Sequence, residues 1–169
     1  MIPHYFDKAG IDCDPRAAPS IPSDSTSGDA NRRVVSPDLI VETARLALGT
    51  PFRHQGRQVG RGLDCAGLVL WVGWQLGVTC YDQTGYPRSF SDNRLLLAAE
   101  GAGFCKIKTP GRGDVACLQI GGALQHLAIH TGNGLIHACE RAGRVVEHRL
   151  DAHWRRSILC GFHYPGNVQ

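Results

Sequence analysis

Nucleophilic catalysis needs a nucleophile and a base, and one stretch of this chain offers a candidate nucleophile. In Gly62-Leu63-Asp64-Cys65-Ala66-Gly67-Leu68-Val69-Leu70-Trp71, Asp64 has the short acceptor side chain of a helix N-cap, and the apolar run from Cys65 to Leu76 stops at Gly77. Cys65 therefore falls in the first turn of an expected helix. Unpaired backbone N–H groups and the positive end of the helix dipole favour a thiolate there, and the thiolate is the nucleophilic form. Leu68, Val69, Leu70, Trp71, Val72, Trp74 and Leu76 leave this helix almost no polar face, so it is expected to be buried on most sides. A free cysteine can equally be a small buried residue. The downstream histidines must choose between these readings.

From Gln125 to His130 the chain alternates, placing His126, Ala128 and His130 on one strand face and Leu127 and Ile129 on the other. His137 lies on the next expected strand, beyond Asn133-Gly134. A tight turn at Asn133-Gly134 would set His130 opposite His137, whereas a turn at Thr131-Gly132 would set His126 there. Both registers keep all three histidines on one face, because they differ by an even number of residues. Two histidines on facing strands, downstream of a helix-capping cysteine, suggest a base and its orienting partner. Spacing leaves His126 and His130 both open as the base.

The elements that must position these groups follow from periodicity. Ser36-Pro37 reads as a cap followed by proline at the first helical position, with Leu39, Ile40, Thr43, Ala44, Leu46 and Ala47 on one face and Gly49 as the stop. A glycine-rich loop carrying Arg53, His54, Arg57 and Arg61 leads into Asp64, and its side chains either line a site or form a solvated face. Residues 78–112 have a weak pattern. A short helix is expected over Ser91 to Ala102, burying Leu95, Leu96, Leu97 and Ala98, while Tyr81, Tyr86 and Phe90 before it are read as covering the core. From Gly113 the period becomes two. Strands are expected at 114–120, 125–130, 135–139, 144–148 and 158–164, the first four separated by the turns Gly121-Gly122, Asn133-Gly134 and Ala142-Gly143. Helices first and about five antiparallel strands second indicate an α+β fold. The expected organisation is an N-terminal arm at residues 1–35, either flexible or ordered on a partner, and one domain at 36–169.

Composition removes several function classes. The 169 residues make one domain, and a net charge of +3 is too mild to argue for nucleic acid. No run reaches the roughly 18 apolar residues of a membrane span. The first residues lack the basic start and apolar stretch of a signal peptide, so synthesis in the cytoplasm without one is expected. The 7 cysteines are odd in number and scattered, with no CxxC pair, which disfavours a disulfide framework and a zinc knuckle. A metal site built from Cys65, Cys139 and nearby histidines lacks the usual ligand spacing. No metal and no cofactor are expected.

Four motifs in order then resemble one family. Gly49-Thr50-Pro51-Phe52-Arg53-His54-Gln55-Gly56, Leu63-Asp64-Cys65-Ala66-Gly67-Leu68-Val69, Gly113-Asp114-Val115 and the run His126 to Ala138 together look like the NlpC-type cell-wall endopeptidases, which are papain-like cysteine peptidases. The Arg53-His54-Gln55-Gly56 version most resembles members carried by tailed phages and phage-derived particles. The resemblance covers residues 36–164. It implies Cys65 as nucleophile, His126 as base, ranked above His130, and His137 as the orienting residue. It further implies that Asp64 helps hold the free amine of a peptidoglycan stem peptide, with His54 as a second substrate-binding candidate that could replace an absent tyrosine hydroxyl near the oxyanion. Phe52 stands where many relatives have an active-site tyrosine, and the interval from His126 to His137 is one residue shorter than in many members. The implied function is hydrolysis of a stem-peptide amide by a tail-associated component, carried in a virion or phage-like tail and acting in the wall or periplasm. Tail-tip proteins would then be partners of the N-terminal arm. The alternatives are a structural tail-tip module with little catalysis, or a papain-like amidase or acyltransferase effector.

Overall fold

The computed structural model describes residues 34–79, 81–88, 94–120 and 124–166, with the side chains of Leu124 and Gln125 left aside. The expected arm lies outside the described residues except for Val34 and Val35, as do Phe90 and the Gly121-Gly122 turn. Arg33–Gln169 forms one compact unit.

Helix α1, Pro37–Arg45, begins as its sequence dictates: the Ser36 hydroxyl accepts from the Leu39 N–H at 3.2 Å, and Pro37 needs no partner for the N–H it lacks. Its buried stripe is rotated from the expected one. Ile40, Val41, Thr43 and Ala44 face inward, whereas Leu39 and Leu46 are 42% and 72% exposed. Asp38, Glu42 and Arg45 take the face opposite Ile40, and Leu46 falls at the C-cap beyond the last helical turn, so the inward stripe takes in Val41 and leaves out Leu39 and Leu46. The glycine-rich loop holds a short hairpin, β1 (Arg57–Gln58) with β2 (Gly62–Leu63), and leads into α2, Cys65–Gln75. Gly77 follows with φ 65°, a left-handed conformation suited to the end of a helix. Helix α3, Arg94–Gly101, buries only Leu95; Leu97, expected inside, is 63% exposed.

The sheet has six strands: β3 (Cys105–Ile107), β4 (Val115–Ile120), β5 (Leu124–His130), β6 (Gly134–Cys139), β7 (Arg144–Arg149) and β8 (Ile158–His163). Their spatial order is β3-β8-β4-β5-β6-β7, so the expected meander runs from β4 to β7 and the last strand returns to pair with β4. Between β7 and β8 lies helix α4, Ala152–Ser157, which the sequence pattern did not suggest; Asp151 caps it by accepting from the N–H groups of His153 and Trp154. The sheet's two faces bury different sets, as strand alternation requires. Val115, Cys117, Leu127, Ile129, Ile136 and Ala138 join Ile40, Leu68 and Val72 in the main core. Ala116, Leu118, Ala128 and Leu135 pack with Leu150 and the half-buried Trp154 on the other side.

The β5–β6 register corrects both expected turns. Ile129 faces Ile136 and His130 faces Leu135, and the Thr131 N–H closes the connection on the Gly134 carbonyl at 2.9 Å. This register lies midway between the two alternatives, still an even shift from each, so the histidines keep their common face. It has only two facing pairs, against six in β4–β5 and six in β6–β7. Beyond Ile129 and Ile136 the two strands part.

Candidate functional site

Helix α2 packs against both of the parting strands. Its entry is fixed by Asp64, whose carboxylate is 3% exposed and surrounded by donors. Oδ1 accepts from the Gly67 N–H at 2.8 Å, as an N-cap should, and from the Arg57 guanidinium at 3.3 Å. Oδ2 accepts from the Gln55 N–H at 2.6 Å and the Tyr86 hydroxyl at 2.7 Å. A buried carboxylate is tolerable only when its lone pairs are occupied in this way. The helix also presses on the preceding loop: a Cβ added to Gly67 would lie 1.9 Å from the Gly56 carbonyl oxygen.

Cys65, the first residue of α2, is half-buried beside β5, with its sulfur facing the backbone of Leu127 as well as that of Ala66. Burial first, and then the negative charge of Asp64, push its thiol up to about 11. Backbone hydrogen bonds from Leu127, Ala66 and Cys65 itself pull the other way without prevailing. The thiolate favoured by the helix terminus is thus outweighed by desolvation, and the resting group at neutral pH is a thiol.

His126 immediately precedes Leu127 on β5. Its Nε2 lies 2.7 Å from Nδ1 of His137, and this bond spans the parting between β5 and β6 where the backbone ladder has ended. His137 is 2% exposed, and its ring stands edge-on to Trp154 at 5.5 Å. Burial above all lowers His126 to about 4, opposed by the charge of Asp64; burial and two neighbouring histidines lower His137 to about 3. The pair is therefore neutral, with one nitrogen of His126 engaged and Nδ1 left over. A neutral imidazole one residue from the strand segment that touches a thiol can remove its proton when the sulfur attacks.

His130 goes elsewhere: its Nδ1 accepts from the Gly132 N–H at 3.0 Å and braces the turn. The structure thus sets Cys65 against the backbone of Leu127, puts the adjacent His126 within the field of Asp64 and in a bond with His137, and separates His130 from His137. His54 stands on the other side of Asp64. Its Nε2 donates to the Tyr86 carbonyl at 3.0 Å, and its Nδ1 lies 3.7 Å from Asp64 Oδ2. Tyr86, read from sequence as core cover, does pack against the main core, and it also turns its hydroxyl into the Asp64 cluster beneath the Arg57 guanidinium, 5.5 Å from the ring centroid. Phe52 packs at the edge of the main core. Sequence reasoning also missed His148, whose Nε2 lies 3.0 Å from Nε2 of His137. The equal 11-residue steps from 126 to 137 to 148 were the available signal. Among the described residues, no three His, Cys, Asp or Glu side chains converge as ligands for a metal.

The fold has known counterparts in three dimensions. The NlpC/p60 domain of the peptidoglycan hydrolase SagA superposes with a TM-score of 0.55 and 26% identity, covering 76% of this chain and 98% of that one. An NlpC/P60 family protein from Bacillus cereus gives 0.55 and 18%, covering 80% of this chain and 42% of its own. The peptidoglycan hydrolase RipB from Mycobacterium tuberculosis gives 0.51 and 19%, covering 75% and 63%. The chain thus spans nearly all of the SagA domain but less than two thirds of the other two proteins. No curated protein matches it. The expected papain-like α+β fold is the one these structures share. A family model accounts for residues 49–162, which include Cys65, both linked histidines and the strands that carry them: the chain belongs to the NlpC/P60 family.

Proposed function

We propose that this protein is a cysteine endopeptidase that hydrolyses an amide bond in peptidoglycan stem peptides. Membership of a family of peptidoglycan hydrolases supports the cell-wall hydrolase class. The observation that carries the finer reading is the His126–His137 bond of 2.7 Å, with His126 one residue before Leu127, whose backbone meets the helix-terminal Cys65. In the proposed reaction His126 Nδ1 takes the Cys65 thiol proton as sulfur attacks the amide carbonyl. The Cys65 backbone N–H, one of the helix-start donors with no carbonyl partner within the helix, helps hold the oxyanion. The imidazolium returns its proton to the leaving amine, and water then hydrolyses the thioester. His137 holds the imidazole of His126 in one tautomer. Asp64 and His54 bound the side of the site where a stem-peptide amine would sit. All the Asp64 donors are supplied from within the fold, so its pull on that amine acts through its charge and through Tyr86.

The Arg53-His54-Gln55-Gly56 version of the first motif supports a tail-associated component of a phage or phage-like particle, docked through residues 1–35 and acting in the wall or periplasm. The test is mass spectrometry of purified sacculi incubated with wild type and with Cys65→Ala. New stem-peptide fragments with wild type alone are expected, their masses identifying the bond; none, beside an active related endopeptidase, would overturn the enzymatic reading. A second reading, a tail-tip module of weak catalysis, draws on Phe52 in place of a tyrosine and on a thiol held near 11. It predicts that deleting residues 1–33 stops particle assembly while Cys65→Ala leaves assembly and infectivity intact.

A further inference from the structure

The histidine pair beside Cys65 is part of a longer row. His148 on β7 faces Leu135, and His137 on β6 faces Val146, so His137 and His148 are diagonal neighbours on one face of a fully formed ladder. Their Nε2 atoms are 3.0 Å apart. The far nitrogen of His148, Nδ1, lies 3.1 Å from the backbone carbonyl oxygen of Arg149. Trp154 lies against both rings, with centroids 5.5 Å from His137 and 4.3 Å from His148.

A carbonyl oxygen can only accept, so Nδ1 of His148 carries its proton. In the uncharged form of His148, Nε2 is then bare and must accept from Nε2–H of His137. Neutral His137 has a bare Nδ1, which must accept from Nε2–H of His126. That leaves the lone pair of His126 on Nδ1, the form a general base needs. Every step is forced by the one before it. We propose that His148 is a positioning residue, which sets the tautomers of His137 and His126 by relaying the direction fixed at the Arg149 carbonyl. This rests on the peptidase reading for its effect on rate, but the tautomers themselves do not.

The row also states what breaks it. A side chain at 148 that can only donate would force His137 to accept at Nε2 and donate at Nδ1, and would place the His126 proton on Nδ1, where no base remains. A glutamine can accept from His137 with its carbonyl oxygen and donate to Arg149 with its amide, so it preserves the direction. The experiment compares His148→Gln, His148→Leu and His148→Lys in the full chain. Nitrogen-15 NMR of the histidine rings is expected to show wild type protonated at Nε2 of His126, Nε2 of His137 and Nδ1 of His148. Glutamine should leave the first two unchanged, and lysine should move both to Nδ1. Stem-peptide cleavage should keep a nearly constant KM, with kcat about tenfold to a hundredfold lower for leucine, lower again for lysine, and within a few-fold of wild type for glutamine. Wild-type tautomers other than these, or tautomers unchanged in the lysine variant, overturn the proposal. So do equal losses of kcat in all three variants that follow their melting temperatures, since a purely structural role would produce them. Correct tautomers with no cleavage by wild type would leave the relay standing and sink the peptidase reading instead.

Discussion

Cys65 stands between two polar constructions of opposite kind. On one side Asp64 is a full negative charge held by four donors from three separate segments: Gln55 and Arg57, Gly67, and Tyr86. On the other side His126 and His137 are held neutral by burial, and with His148 they form a row of imidazoles linked end to end. The charged side works by saturation: any donor of suitable reach contributes, and no proton has to be in a particular place. The neutral side works by direction, because each ring must donate at one nitrogen and accept at the other. The first is suited to seating a helix and the second to moving a proton.

The sharpest cut through this contrast removes the group both sides serve. Cys65→Ala should lower stem-peptide cleavage at least about a thousandfold while leaving the melting temperature almost unchanged, as activity assay and calorimetry on one sample would show. Next comes the charged side. Asp64→Ala takes the acceptor from the Gln55 and Gly67 N–H groups and the Tyr86 hydroxyl and leaves Arg57 with Asp82 as its carboxylate partner, so unfolding should become about 3–5 kcal/mol easier in denaturant titration. A loss below 1 kcal/mol would show that the saturation is dispensable.

Acid tests the neutral side. In the unfolded chain each imidazole takes a proton near 6.5, but in the fold His126 resists until about 4 and His137 until about 3. Below 6.5 the unfolded state therefore binds more protons. The stabilising contribution is complete above 6.5 and falls as pH drops toward 4, by roughly 3 kcal/mol from His126 alone. Stability that stayed flat from pH 7 to 4.5 would mean that His126 and His137 are not held neutral. The smallest expected change is Tyr86→Phe, which removes one donor from a carboxylate that keeps three, at about 1–2 kcal/mol. A comparable loss is expected for His130→Ala, with cleavage retained, because that ring braces a turn and stands outside the row.

What the sequence made legible was local. Asp64 capping α2, Ser36 capping α1 and the alternation of β4 to β8 each depend on neighbours within a few residues, so pattern and propensity suffice. Short elements escaped: α4 has six residues and β3 three, too few to establish a period. The β5–β6 register was decided by tertiary contact, since more than one choice satisfied the same pattern. His126 and His137 were visible because a single turn separates their strands. Tyr86 reaches Asp64 from 22 residues away through an irregular loop, and no periodicity carries that information.

The contact between Gly67 and the Gly56 carbonyl bears on how the protein tolerates change. A bare α-carbon there acts as a mechanical stop, setting how deep α2 can seat against the loop and hence how far its first residue stands from β5. Any side chain at 67 would press on the Gly56 carbonyl and crowd the Arg57 guanidinium and the Asp64 carboxylate that caps the helix, tilting Cys65 away from Leu127. An alanine at that position would therefore show a folded protein with a misaimed sulfur, a failure of tolerance, with every reacting group still present.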